Sequence, residues 1–406
     1  MESKHTKAEK GDSGVLLTFA VVFGHAVKHI YIAGFQTIIF PEMKIALGLS
    51  NVSFGALATA RQATSGITTL GAGYLGDRFS GQTSLLLAVS LALMGISYFL
   101  VGTAPNYLWL FLAMLVVGLG PSIYHPPALG ALSRRFPDRR GLMISLHGMG
   151  GSIGEALGPL ITAVAVTVLL WDGTLRWSLA PALVIAGVVW ILMSKSARVE
   201  GGAASFAEYF GSLGGLFRNR QLVSILAYSG LRSMGQSAVV IFLPVYLRED
   251  LGLSLGRMAI YLALSQVVGI GAQPIMGSLS DRLGRKRVIV PCLIAFSAFL
   301  VALYLVQPGP LMILVIVGMG AFLYSMQALF LAAASDLGGA EMQATISSMT
   351  YAMTFIAATI SPITAGFIAD ALQVKTVFLY GAILLLISAV LYALQGSSYV
   401  ERAAGE

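Results

Sequence analysis

Charge is scarce in this sequence: 11% of its 406 residues are Asp, Glu, Lys or Arg, while 57% are hydrophobic. Soluble domains carry about 25% charged residues, so this composition excludes a water-soluble globule of the same length. Cysteine is almost absent. Cys292 stands alone in an apolar run, so no intramolecular disulfide can form. No nucleophile–base set and no metal motif of proper spacing occurs, which argues against an enzyme and against a resident metal or cofactor. The net charge of +7 is spread through short loops instead of lying on one face, which argues against a nucleic-acid partner. Carboxylates are rarest where the chain is most apolar.

Long apolar runs make up most of the chain. Windows near 15–39, 52–75, 83–103, 107–133, 142–169, 177–194, 221–247, 256–280, 288–306, 311–335, 343–369 and 376–395 each suit a transmembrane helix. The expected fold class is therefore an all-α polytopic membrane protein with a lipid bilayer as its partner. Forty-six glycines fit that reading, because small residues let membrane helices approach closely. The polar first thirteen residues lead into the first span without an A-x-A-like cleavage site, so that span reads as retained. Segment 196–220 is the longest polar interruption. It divides the chain into an N-terminal six-helix bundle (1–195), a cytoplasmic linker (196–220) and a C-terminal six-helix bundle (221–406). Phe206, Phe210, Leu213 and Phe217 fall at helical spacing within it and suit a short interfacial helix.

Lys and Arg set the orientation. With a cytoplasmic N-terminus, seventeen fall on the cytoplasmic side, including Lys4, Lys7, Lys10, Arg140, Lys195, Arg198 and Arg402; five fall opposite, namely Lys44, Arg176, Arg248, Arg257 and Lys375. Both termini are thus expected inside, in a bacterial inner membrane by style. A monomer is the expectation.

The chain repeats itself. At an offset of 204 residues, Gly73, Leu75, Asp77 and Arg78 fall on Gly277, Leu279, Asp281 and Arg282, and Gly48-Leu49-Ser50 on Gly252-Leu253-Ser254. The same offset places Gln62 on Gln266 and Lys28 on Arg232, and an offset of 200 places Tyr124 on Tyr324. A duplicated six-helix unit is the sequence mark of an alternating-access transporter with its site between the halves.

The doubled G-x-L-x-D-R loop, with Gly73, Asp77 and Arg78 in one copy and Gly277, Asp281 and Arg282 in the other, resembles motif A of the major facilitator superfamily. The resemblance spans essentially the whole chain. It implies the twelve-helix major facilitator fold, alternating access, and a gating role for Asp77 and Asp281 through contacts with neighbouring helix ends; the plainer alternative is a pair of charged turns that set topology. The first copy lacks the basic residues Arg285, Lys286 and Arg287 that follow the second. Gly120 to Gly130 (GPSIYHPPALG), Arg139-Arg140-Gly141 and His147 to Pro159 (HGMGGSIGEALGP) resemble the fosmidomycin-resistance branch, which exports a phosphonate antibiotic. Gly154, Gly158 and Pro159 are also similar to the antiporter motif C.

Polar residues inside spans are costly and become functional candidates by default: about 2.5–3.5 kcal/mol for a charge at the centre. Span 1 carries His25, Lys28 and His29 on one face, with Gln36 further along; span 7 carries Tyr228, Arg232 and Gln236 at i, i+4 and i+8. Arg61 lies in span 2, Tyr124 and His125 in span 4, His147 and Glu155 in span 5, Gln266 in span 8, and Tyr324 and Gln327 in span 10. Glu155 is the one carboxylate clearly mid-span, against three fixed cations, so the interior is electropositive and suits an anion held by arginine. The pairing of Lys28 with Arg232 is similar to the organophosphate/phosphate antiporters, whose basic residues on these two helices clamp phosphate. Plainer readings stay open: Arg61 pairing with Glu155 or capping a helix, His25 and His29 bonding backbone carbonyls, His125 satisfying carbonyls freed by Pro126-Pro127, and Tyr124 and Tyr324 as core aromatics.

The expected function is a secondary transporter of a small organic anion (phosphonate, phosphate ester, carboxylate or sulfonate), proton-coupled through Glu155 or His147, or working by exchange. The alternatives are a multidrug-type proton antiporter and a transporter of transition metals or anionic metal chelates that uses the intramembrane histidines.

Overall fold

The computed structural model describes residues 2–194, 205–337 and 343–395. Linker residues 195–204, with Lys195 and Arg198, lie outside the described residues, as do Arg402 and the side chains of Lys4, Lys7, Lys10, Arg140, Phe210 and Leu213. All the described regular structure is helical.

Ten segments among the described residues are long and apolar enough to cross a bilayer. One of them contains two helices: the run Arg140–Ser194 breaks at Leu170 (φ 58°, ψ 175°). The helix Asn51–Arg78, 28 residues long, falls outside the ten because it carries the polar and charged residues of span 2. Together these make twelve rods: α1 (Gly14–Ala46), α2 (Asn51–Arg78), α3 (Thr83–Gly102), α4 (Tyr107–Arg135), α5 (140–169), α6 (171–194), α7 (Arg220–Asp250), α8 (Leu255–Leu283), α9 (Arg285–Leu305), α10 (Pro310–Ser335), α11 (Ile346–Ala371) and α12 (Thr376–Leu394). A short helix, Phe206–Leu216, precedes α7. Ser205 and Glu208 form its capping box, and the Ser205 backbone N–H holds the exposed Glu208 carboxyl below its usual range. Phe206 meets Tyr74 of α2 edge-on, with ring centroids 5.5 Å apart.

The repeat is visible in the backbone. Gly48 (φ 57°) and Gly252 (φ 63°) both take the left-handed conformation that glycine allows without strain. Two residues on, Ser50 and Ser254 both cap the next helix, accepting from the N–H of Ser53 and Arg257 respectively.

The glycines of HGMGGSIGEALGP bring α5 against α1 at backbone distance. A Cβ at Gly150 would lie 2.6 Å from the Val22 carbonyl oxygen, one at Gly154 2.1 Å from that of Ala26, and one at Gly158 2.7 Å from that of Ile30. This four-residue ladder is a small-residue helix interface, so the likeness to an export branch is here also a packing requirement. Gly154→Val should therefore lower the thermal unfolding temperature of the purified protein, since overpacking against backbone costs about 1–3 kcal/mol or more. A wild-type melting temperature would show that α5 can move away freely.

The halves meet along α2 with α11, and along the helical run 140–194 with α8. At the end carrying the α1–α2 and α7–α8 connections they are bolted together. Lys44 Nζ donates to both Glu249 oxygens (2.8 and 2.6 Å), and Arg248 pairs with Glu42. Asp370 of α11 accepts from the backbone N–H groups of Asn51 (3.0 Å) and Val52 (2.9 Å) at the start of α2, where the helix dipole favours an acid. Beneath this layer Phe40, Phe54 and Phe242 pack in sequence across the halves, the first pair tilted and the second edge-on, with centroids 4.1 and 5.7 Å apart.

Candidate substrate site

The N-terminal half gathers polar residues from three of its helices. His25, Lys28 and His29 share one face of α1, as their spacing predicts. Against them α4 supplies Tyr124 and His125, and α5 supplies His147 and Glu155. Gly151 makes room: a Cβ there would lie 2.5 Å from the His25 ring. His25 and His147 stack with centroids 3.7 Å apart, and His25 Nδ1 donates to the His147 carbonyl at 2.6 Å. His125 Nδ1 lies 3.3 Å from His147 Nε2. His29 Nδ1 faces Glu155 at 3.0 Å. Lys28 is 2% exposed, its ammonium 5.7 Å from the Tyr124 ring centroid. Among the described residues no carboxylate lies within ion-pair distance of Lys28, although Glu155 is within electrostatic reach of both Lys28 and Tyr324. The Tyr124 hydroxyl donates to the Val21 carbonyl (2.9 Å), so Tyr124 is a core aromatic that supports Lys28.

The C-terminal half is built around Arg232, 1% exposed. Its guanidinium donates to Gln236, to Ser233 Oγ (2.7 Å) and to Gln327 Oε1 (2.5 Å), and lies 5.9 Å from the Phe330 ring centroid. Gln236 in turn donates to the Leu323 carbonyl (2.9 Å). All these partners are neutral, so the charge of Arg232 is solvated and not cancelled. Its Nε, Gln327 Nε2 and the Gln266 side-chain oxygen are buried without a hydrogen-bond partner. On α7 and α2 the halves touch directly: Gln62 Nε2 donates to Ser237 Oγ at 2.6 Å.

Several expected site residues lie elsewhere. Arg61 neither pairs with Glu155 nor caps a helix; it sits within electrostatic reach of Tyr98, and Glu155 goes to His29. His125 meets His147 and not a proline-freed carbonyl. Tyr228 packs on Tyr392 of α12 (5.6 Å), and Tyr324 lies tight against α8, where a Cβ at Gly269 would stand 2.6 Å from the Tyr324 Cβ. Gln36 is half-buried in a π-helical turn, Phe35–Ile39. Both motif A copies stay within their own half: Asp77 faces Arg134 (3.7 Å), while Arg285 holds Asp281 and Asp336 (2.8 Å) together. Gly73 is buried, Gly277 has open space around it, and Arg78 and Arg282 are exposed.

Sequence reasoning missed the Glu42–Arg248 and Lys44–Glu249 pairs. The 204-residue offset that relates Lys28 to Arg232 also relates Lys44 to Arg248, a signal that could have found them.

The sequence profile of the Major Facilitator Superfamily matches residues 16–350 and 230–404. The chain is 24% identical over 290 residues to the fosmidomycin resistance protein of Escherichia coli, covering 70% of each chain. It is 28% identical over 289 residues to the gallate transporter of Pseudomonas putida, covering 62% of each. Among solved structures it resembles the nucleoside transporter NupG, with a TM-score of 0.75 at 14% identity, covering 93% of this chain and 99% of that one. Two six-helix halves related by a repeat and touching around buried polar groups are what such a match requires: the chain belongs to the Major Facilitator Superfamily and is a multi-pass membrane transporter, not an enzyme.

Proposed function

We propose that this transporter carries a small organic anion, such as a phosphonate, phosphate ester, carboxylate or sulfonate, gripped by Lys28 from one half and Arg232 from the other. The observation that carries this reading is the burial of both cations, 2% and 1% exposed, at repeat-related positions and without a carboxylate partner among the described residues. Such charges are expensive to hold in a membrane interior, and an anionic cargo offsets that cost when bound. Relatives named for gallate and for fosmidomycin resistance fit the class. A bare metal cation as cargo fits poorly beside two fixed positive charges, and a multidrug cavity does not require them.

With the basic α2–α3 end in the cytoplasm, the bolted end faces outward, and the conformation described is closed outside. The His29–Glu155 pair is the proton carrier. Cargo and proton bind beside one another, since Lys28 is one residue from His29 and within reach of Glu155. The inner membrane, cytoplasmic termini and a monomer complete the reading.

A thermal-shift screen of the purified protein tests it, because a ligand that binds only the folded state stabilises that state. Phosphonates, carboxylates or sulfonates should raise the melting temperature; stabilisation by organic cations alone would refute the assignment. In proteoliposomes, Glu155→Gln should flatten the pH dependence of net anion uptake while anion exchange continues. An unchanged pH profile would remove Glu155 from the coupling role.

A further inference from the structure

We infer that His25, His125 and His147 form a binding site for a transition-metal ion of the zinc class, resident within the N-terminal half. The three imidazoles come from three helices, α1, α4 and α5, and one ligand atom from each lies within 4.8 Å of the others. His125 Nδ1 and His147 Nε2 are 3.3 Å apart. Two nitrogens bound to one tetrahedral ion at about 2.0–2.1 Å stand roughly 3.3–3.4 Å from each other, so this pair is already spaced to share an ion.

His25 is prepared in another way. Its Nδ1–H donates to the His147 carbonyl at 2.6 Å, which leaves Nε2 as the lone-pair nitrogen, and that atom is buried with no partner. A ligating histidine usually has this arrangement: one ring nitrogen is anchored on a carbonyl so that the other faces the ion. His25 and His147 stack flat, so binding draws His25 Nε2 toward the His125–His147 pair by a small tilt of the two rings, from ligand atoms already within 4.8 Å of one another. His147 Nδ1 has no hydrogen-bond partner, so the tilt breaks nothing at that atom. His29 is not part of the set, because its Nδ1 faces Glu155. Imidazole donors select zinc, copper or nickel over calcium and magnesium. Three ligands leave a fourth position open, as in zinc sites that exchange their fourth ligand. Lys28, one turn along α1, opposes a dication, so the site should bind more weakly than a closed structural zinc site.

The inference does not depend on the cargo. The test uses full-length protein purified without a polyhistidine tag and stripped with chelator, titrated with Zn²⁺ by thermal shift and with Co²⁺ by visible absorption. One ion per chain, a Zn²⁺-dependent rise in melting temperature and tetrahedral cobalt bands are expected. Both signals should disappear in His125→Ala and His147→Ala and persist in His5→Ala and His29→Ala. If the variants fail to fold, the cobalt spectrum of the unmodified protein decides the matter. An absence of tetrahedral bands, or a zinc response that survives both substitutions, would overturn the site. The anion screen is run with chelator present, so either reading can fail without the other.

Discussion

Arg232→Met should abolish anion counterflow while leaving the unliganded protein at least as heat-stable as the wild type. The two halves of this expectation share one cause. Arg232 is fully buried among Gln236, Ser233, Gln327 and Phe330, none of which carries a negative charge. A buried charge without a counter-charge opposes folding, and its replacement by an apolar side chain of similar volume is often neutral or stabilising. Binding responds in the opposite direction. Losing one partner of a desolvated charge-assisted hydrogen bond costs about 2–5 kcal/mol, or roughly thirty-fold or more in affinity. Arg232→Lys keeps the charge but loses the planar fork, and should retain part of the activity, with the largest deficit for anions that dock in bidentate fashion. Counterflow of a labelled anion and thermal unfolding, read on the same preparations, check both halves. A Met variant that exchanges anion normally would exclude Arg232 from the site; one that unfolds at lower temperature would make the arginine structural.

Arg248→Glu should open the bolted end, and the added substitution Glu42→Arg should close it again. The single change sets two acids together where Arg248 and Glu42 now pair, beside the intact Lys44–Glu249 pair. A hydrogen bond to a charged group contributes about 1.5–3 kcal/mol. Its loss, with new repulsion, should shift the ratio of closed to open states by roughly 10- to 150-fold. Spin labels at the exposed Leu47 and Arg257, with the single Cys292 changed to serine, report the separation of the two halves at this end. A longer distance in Arg248→Glu and a wild-type distance in the charge-swapped double variant are expected. An unchanged single variant would show that the Phe40–Phe54–Phe242 cluster and the Asp370 cap hold the end closed without the ion pairs.

Most of the architecture could be read from the chain because a bilayer leaves few choices. The apolar windows located the spans, α2 among them as 52–75, although its Arg61, Gln62, Asp77 and Arg78 keep it outside the most apolar set. The 204-residue offset singled out Lys28 and Arg232, and both are buried. Pairings between distant segments were not legible. His25, His125 and His147 lie on three helices, and nothing in their spacing says that two of the rings stack. The Glu155 carboxylate had several cations within plausible reach, and only the turn of α5 against α1, set by Gly150, Gly154 and Gly158, gives it to His29. The Glu42–Arg248 and Lys44–Glu249 pairs depend on how the halves close, a property of the assembled bundle that local pattern does not carry.

The account rests on one anion being held from both halves. Isothermal titration of the tightest-binding anion from the screen into wild type, Lys28→Ala and Arg232→Ala measures this directly. Both substitutions are expected to weaken binding by about thirty-fold or more. Wild-type affinity in either variant would contradict a site shared between the two halves.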